Sequence, residues 1–406
     1  MRRSYLFLQG VCSPFFSQLG ARLRADGATV SKVNFTAGDA AYWRNGDARA
    51  FRGRAQTLPQ FYASAFAERA ATDIVLFGDR RPVHRPAIEL ARRQGLRVHV
   101  FEEGYFRPHW ITLERGGVNA HSALPRDPAW YREAARAAPA PEPRPFRAPF
   151  WNRAGHDVAY HLCGALNALC FPRYRSHAPY GAAREYAAYL RRAAALRWRG
   201  QADAVAVARV TSGSRPYYLL PLQLDGDAQI RDHSPFHGMR QVAALTIASF
   251  AQHAPADSLL VVKNHPLDPG VADHETGVRE LARTYGVAER VIYLERGHLP
   301  SLLARAAGVV TVNSTVGSAA LEHGCPTVAL SSAIYHLEGL TFQGPLDEFW
   351  RAAEPPDPAL FRSFKAAVVH ATQVNGGFYS EPGISLAVRG AAERMLRPRS
   401  PLEDMI

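Results

Sequence analysis

The stretch AGVVTVNSTVGSAALEHGCPTVAL, residues Ala307–Leu330, contains a complete strand–turn–helix–strand unit. Val309–Val312 is a β-branched apolar run and predicts a short buried strand. Asn313–Thr315 predicts a tight polar turn, Val316–His323 a small-residue helix closed by Gly324, and Thr327–Leu330 a second strand. A turn of this kind aims several unpaired backbone N–H groups at one point, which suits an anion and phosphate above all. Ser314 and Thr315 add hydroxyls there. Gly317 and its small neighbours keep the first helical turns slim for close approach of a ligand. An ordinary capped βα unit of a parallel sheet reads the same way.

Working outward, the same alternation recurs on both sides. Tyr5–Gln9, Ala28–Val33, Asp73–Phe77 and Arg97–Phe101 are predicted strands, with helices over Ser13–Ala25 and Arg85–Gln94 between them. A second series runs through Tyr217–Leu222, Ser258–Val262 and Arg290–Leu294, with helices at Met239–Ala251 and Leu299–Ala306. Strands alternating with helices define an α/β chain with parallel sheets. The end, Pro358–Leu396, is expected to be helical apart from Gln373–Gly383. The expected division is an N-terminal unit at 1–205, a C-terminal unit at 206–385 and a helical tail at 386–406. Within the first lie a loop at 134–150 with five prolines and a basic helical segment at 156–199.

The chain has 406 residues, enough for two domains, and 47% hydrophobic content builds real cores. The balance of 48 Lys+Arg against 36 Asp+Glu leaves a net charge of +12, which favours anionic partners. Four scattered cysteines, without CxxC spacing, point to a reducing compartment and neither a disulfide framework nor a zinc site. The short apolar run after Arg2 and Arg3 is broken by Gln9, Gly10 and Ser13, so it reads as a first strand and not a signal peptide. No stretch approaches the roughly 18–20 apolar residues that span a bilayer.

Four polar clusters fall at predicted strand ends, where ligands sit in open α/β sheets. Glu102 and Glu103 are adjacent carboxylates, suited to general acid–base work or to a solvated turn. Asp225 and Asp227 share a face of an extended stretch, as metal ligands, a nucleophile or an acidic turn. Lys263 and His265, before Pro266, can neutralise a leaving phosphate or simply close a turn. Asn313, Ser314 and Thr315 form the fourth cluster. Motifs for dinucleotide oxidoreductases, P-loop ATPases, zincins and α/β-type serine hydrolases are missing.

Taken in order, EEG, QLDGD, KNHP and NSTVG with a trailing HG-P resemble the capsule polysaccharide biosynthesis proteins of the KpsS/LipB type, relatives of the KpsC-type β-Kdo transferases. FEEGYFRPHWITLERGGVN (Phe101–Asn119), PLQLDGDAQIRDHSPF (Pro221–Phe236) and QVNGGFYS (Gln373–Ser380) carry the likeness, which spans Leu8 to Tyr379. The resemblance implies a GT-B fold, two Rossmann-like domains facing a central cleft. It also implies retaining transfer of Kdo from CMP-Kdo to phosphatidylglycerol or its lyso form, with no cofactor and no metal. The product would start a poly-Kdo linker. Glu102, with Glu103 second, would be the acid/base. Asp227, with Asp225 second, would be the nucleophile, although Gly226 stands where relatives usually carry an acidic residue. Lys263, His265, Pro266, Asn313, Ser314, Thr315 and Gly317 would hold the CMP-sugar. The implied setting is the cytoplasmic face of the inner membrane, beside other capsule proteins. Arg173, Arg175, Arg191 and Arg192 are expected to face the lipid surface. The alternatives are a CMP-sialic acid transferase and a non-catalytic component of the export complex. A nucleic-acid role is prompted by charge alone and lacks a module.

Overall fold

The computed structural model describes residues 2–44, 46–139, 141–175 and 180–406. Positions 176–179 of the expected basic segment, and the side chain of Arg199, lie outside the described residues. The chain divides into two compact units. One comprises Met1–Leu124, Ala137–His177 and Lys365–Ile406, the other Pro125–Arg136 and Ala178–Phe364. The expected boundaries near 205 and 385 therefore shift. The long helix Ala182–Ser212 belongs to the second unit, and the end of the chain belongs to the first.

In the first unit, β1 (Ser4–Phe7), β2 (Thr29–Asn34), β3 (Asp47–Ala50), β4 (Asp73–Phe77) and β5 (Arg97–Glu103) are parallel, and β6 (Trp110–Arg115) returns antiparallel to β5. Helices cover both faces, so β1 and β4 are apolar almost throughout. On one face, Phe15, Leu19 and Leu23 of the helix Phe15–Ala25 pack with Ile384, Val388 and Met395 of Gly383–Leu396. Each such side chain contributes about 1.5–3 kcal/mol by leaving water. Leu58, Tyr62 and Ile88 fill the other face.

In the second unit, β7 (Tyr217–Pro221), β8 (Leu259–Lys263), β9 (Val291–Leu294), β10 (Gly308–Thr311) and β11 (Thr327–Ala329) form a wholly parallel sheet in the order β11-β10-β7-β8-β9. The opening stretch folds as read: strand, turn, helix Thr315–Glu322, strand. The chain then returns to the first unit and adds β12 (Gln373–Asn375) antiparallel beside β6, giving the order β12-β6-β5-β4-β1-β2-β3.

Each sheet reverses direction of winding at one point. In the first it lies between β1 and β4, in the second between β7 and β10. Such a reversal opens a crevice beyond the strands' carboxyl ends, because the flanking connections leave in opposite directions.

Candidate active site

In the first unit the crevice is bounded by Gln9–Gly10 after β1 and Gly78–Arg81 after β4. Arg81 Nη1 donates to the Gly10 carbonyl at 2.9 Å and ties the two lips together. Glu102 belongs to this crevice, since a Cβ built on Gly78 would stand 3.5 Å from Glu102 Oε2. The acidic pair does not follow the strand as expected. It lies within β5, where Glu102 pairs with Thr112 and Glu103 with Ile111. Successive residues of a strand face opposite ways, so the two carboxylates have separate surroundings. Glu102 Oε1 accepts from the Glu103 N–H at 3.0 Å. Glu103 Oε1 accepts from Tyr379 Oη at 3.2 Å and lies 3.4 Å from Arg153 Nη1. The Arg153 guanidinium sits over the Tyr379 ring, 5.0 Å from its centroid. Burial, reinforced by the Glu103 charge, pushes the Tyr379 phenol well above its ordinary range, so it stays a donor.

The glycine that follows the pair is needed for packing. A Cβ on Gly104 would lie 2.0 Å from the Trp110 carbonyl oxygen. QVNGGFYS buttresses this strand end. Gln373 Oε1 accepts from the Tyr105 N–H at 2.9 Å, and Gln373 Nε2 donates to Thr112 Oγ1 at 3.1 Å. Behind them, Tyr105 Oη donates to Glu114 Oε1 at 2.7 Å, and Ser122 Oγ bonds the other oxygen. Burial pushes the Glu114 carboxyl up to about 7 against those two hydrogen bonds.

In the second unit, Gln223 beyond β7 and Asn313 beyond β10 meet across the crevice, Nε2 to Oδ1 at 3.1 Å. Asn313 Nδ2 donates to the carbonyls of Gln229 at 2.9 Å and His233 at 3.3 Å. Asn313, expected at the donor, thus braces the two sides of the crevice through its side chain. The Asp225 and Asp227 side chains each accept from an N–H group at a helix start. Asp225 Oδ1 accepts from the Met239 N–H at 2.7 Å, with Oδ2 3.7 Å from His274 Nε2. Asp227 Oδ1 accepts from the Gln229 N–H at 3.0 Å as N-cap of Ala228–Arg231. Ser314 caps the next helix, its Oγ accepting from the Val316 N–H, and Thr315 is exposed beside it. Gly317, expected to keep the helix start slim for a ligand, has a packing role. Its absent side chain makes room for Tyr335, whose hydroxyl would lie 2.2 Å from a Cβ there. Tyr335 Oη instead donates to the Ser314 carbonyl at 2.7 Å, fixing the turn.

Lys263 is the last residue of β8 and is buried, with Nζ donating to the Asn264 carbonyl at 3.0 Å. Burial, then the Arg192 charge, holds its ammonium below the ordinary lysine range. His265 Nδ1 accepts from the Leu267 N–H at 3.1 Å, so in the neutral ring the proton sits on Nε2. Pro266 is exposed. This loop is held from beneath by two residues expected to face lipid. Arg192 Nε donates to Glu295 Oε1 at 2.6 Å. Its Nη1 donates to the carbonyls of Pro266 and Asp268, and its Nη2 to that of His265. Arg191 Nη2 donates to the Gly270 carbonyl at 2.9 Å. A guanidinium offers five donors in a fixed fork, which explains why arginine serves a turn rich in carbonyls. Arg173 and Arg175 are exposed in the first unit.

Arg153 and Glu295 carry no signal in the sequence, Gln373 and Tyr379 fall in the family motif QVNGGFYS without an assigned role, and Arg192, expected at the lipid surface, holds the His265 loop instead. Arg153 and Glu295 are single charges far along the chain from what they touch.

Two α/β units, each presenting polar residues at the reversal point of a mainly parallel sheet, define a Rossmann-like pair. Residues 72–379 match the family described as "Capsule polysaccharide biosynthesis protein", and the chain belongs to that family. It is 37% identical over 382 residues to the capsule polysaccharide export protein KpsS of Escherichia coli, covering 93% of this chain and 97% of that protein. It is 34% identical over 384 residues to the capsule polysaccharide modification protein LipB of Neisseria meningitidis, covering 93% and 91%. Among solved structures, the beta Kdo 2,7 transferase of Thermosulfurimonas dismutans KpsC aligns over 97% of this chain and 99% of that one, at 13% identity and a TM-score of 0.46.

Proposed function

We propose that the chain is a GT-B glycosyltransferase of capsule assembly. It moves Kdo from CMP-Kdo to phosphatidylglycerol or its lyso form, with retention, and starts a poly-Kdo linker. The observation that carries this reading is the placement of both sets of polar residues at the sheets' reversal points. Glu102 lies beside Gly78 in the first unit, and in the second the segments that carry Asp225–Asp227 and Asn313–Thr315 follow the two strands flanking the reversal point and are joined there by the Gln223–Asn313 hydrogen bond. The capsule names of the relatives supply the biological setting.

In this reading the Asp227 carboxylate attacks the anomeric carbon of Kdo and CMP departs. Ser314, Thr315 and the N–H groups of the helix start receive its phosphate, with His265 Nε2 donating and Lys263 adding charge. Glu102 takes the proton from the acceptor hydroxyl, whose oxygen displaces Asp227. Asp227 is taken as the nucleophile and Asp225, whose Oδ1 accepts from the Met239 N–H, as the second candidate. Glu103, tied to Tyr379 and Arg153, positions the strand end. The reaction needs no metal or cofactor. It runs at the cytoplasmic face of the inner membrane, beside other capsule proteins. Among the described residues no helix is long and apolar enough to cross a membrane.

The test is incubation with CMP-Kdo and a short-chain phosphatidylglycerol analogue, read by mass spectrometry. A product heavier by one or more Kdo units is expected, and it disappears with Glu102→Gln in a folded protein. No product with CMP-Kdo but transfer from CMP-sialic acid would move the donor assignment. Capsule output unchanged by Glu102→Gln would leave a non-catalytic export component, as the name of the E. coli relative suggests.

A further inference from the structure

The helix Phe150–Gly164, continued after one turn by Asn167–Cys170, is amphipathic the wrong way round for a soluble protein. Its polar face meets the protein. Arg153 reaches Glu103, Tyr42 Oη lies 2.8 Å from His156 Nδ1, and Tyr160 Oη lies 2.8 Å from Thr36 Oγ1. Asn167 Oδ1 accepts from the Ala37 N–H at 2.8 Å. The opposite face is apolar and open. Trp151, Val158 and Leu162 recur at helical spacing along one stripe of the first helix, about 17 Å long, and Leu166 and Leu169 continue the exposed apolar run past the turn. Trp151 is 80% exposed, Leu162 70% and Leu169 82%. The exposed Phe150 ring packs edge-on against Trp151. Six of the eleven exposed large hydrophobic side chains among the described residues fall in this one segment.

We infer that this stripe lies in the interface of an anionic lipid bilayer, parallel to its plane. Charge complementarity selects that occupant. Exposed arginines bracket the segment at both ends, Arg144 and Arg147 before it and Arg173 and Arg175 after it. Tryptophan and leucine enter the acyl boundary while arginines meet phosphate headgroups. The helix is too short to span, so it lies on the membrane. Through Arg153 the same helix touches Glu103, 3.4 Å away, so one ion pair links the membrane-facing helix to the acidic pair. The inference deepens the lipid-acceptor reading and rests on it, and it moves the membrane face from the arginines of Ala182–Ser212 to this segment.

The full chain is floated with vesicles of phosphatidylcholine alone, or with about one quarter phosphatidylglycerol. The wild type is expected to float with the anionic vesicles and poorly with the neutral ones, with a blue shift of tryptophan emission. The combined variant Trp151→Ser, Leu162→Gln, Leu169→Gln binds the anionic vesicles at least roughly tenfold more weakly and loses the shift. Leu169→Gln alone, at the most exposed position, gives a partial loss and guards against misfolding, which circular dichroism also checks. Equal flotation of wild type and variants overturns the inference, as does equal binding to both vesicle types. A lipid-free dimer that the combined variant dissociates would make the stripe a contact between copies and equally overturn it. Transfer to a water-soluble acceptor analogue is measured in parallel and survives in the variants. Loss of transfer in every protein, with the flotation difference intact, would condemn the transferase reading and leave this one standing.

Discussion

Arg192 and Glu295 form an ion pair of 2.6 Å beneath the Lys263–Pro266 loop, with side chains only 11% and 12% exposed. Burial alone would push the Glu295 carboxyl up, but hydrogen bonds from Arg192 and Asn264 hold it below the usual carboxylate range. The pair is thus the foundation of the loop that carries His265. Arg192→Ala leaves a buried carboxylate without its cation, and should cost about 3 kcal/mol in urea unfolding. Arg192→Lys restores the charge but not the fork, and should recover no more than roughly half. Neither change should alter vesicle binding, which separates this arginine from a lipid contact.

Tyr379→Phe removes the 3.2 Å bond to Glu103 and leaves the ring beneath Arg153. The stability cost should be small, about 1 kcal/mol. Transfer should fall by roughly tenfold through kcat, with KM for the donor unchanged, because the strand end is loosened where the acceptor is handled. A change confined to donor KM would detach Tyr379 from the acidic pair.

Glu114 gives the fold a pH dependence of known sign. Its carboxyl is raised from 4.5 to about 7 in the folded protein, chiefly by burial. The folded state therefore binds more protons than the unfolded state between those values. The stabilisation from the neutral acid is complete below about 4.5 and is lost as pH rises through about 7, a change of about 3 kcal/mol. Glu114→Gln keeps a neutral side chain of the same shape. It should flatten this part of the stability–pH curve, measured by denaturant midpoints between pH 4 and pH 8 (roughly the window set by the two values).

Gly317→Ala would place a Cβ 2.2 Å from Tyr335 Oη and 2.4 Å from its ring. Overpacking of this size costs about 1–3 kcal/mol, read as a lower Tm. If Gly317 served a ligand instead, the variant would keep its Tm and lose donor affinity.

The strand–turn–helix at Ala307–Leu330 was legible because its signals are local: a β-branched run, a capping serine and a closing glycine. The strands β1, β2, β4, β5, β7 and β8 were legible for the same reason, being largely buried, whereas the fully exposed β3 and the returning β6 carried no such local signal. What the sequence hid depends on partners far away. Gln373–Asn375 is three residues long and becomes a strand only by pairing with Trp110–Thr112. Arg191 and Arg192 read as part of a lipid-facing basic segment, because nothing near them announces the carbonyls at His265–Gly270 or the carboxylate at Glu295. Gly317 looked permissive for a ligand because Tyr335 lies beyond the motif. Composition did register the basic character that brackets Phe150–Cys170. The exposed stripe itself was not legible, since the sequence does not show which face of an apolar helix the protein occupies.

Asp227 separates capping from chemistry. Its Oδ1 accepts from the Gln229 N–H, and any good cap residue can do that. Asn accepts the same bond but cannot displace CMP from an anomeric carbon. If Asp227 is the nucleophile, Asp227→Asn keeps the Tm and abolishes transfer, by roughly a thousandfold or more. Asp227→Ala loses the cap as well, at about 1 kcal/mol. Asp225→Asn, which keeps an acceptor for the Met239 N–H, is expected to retain most activity. Near-normal transfer by Asp227→Asn would reduce this residue to a helix cap and shift the search for the nucleophile to Asp225. Mass spectrometry of enzyme trapped with CMP-Kdo and no acceptor gives the positive evidence. A Kdo adduct should map to the peptide containing Asp227 and be absent from the Asn variant.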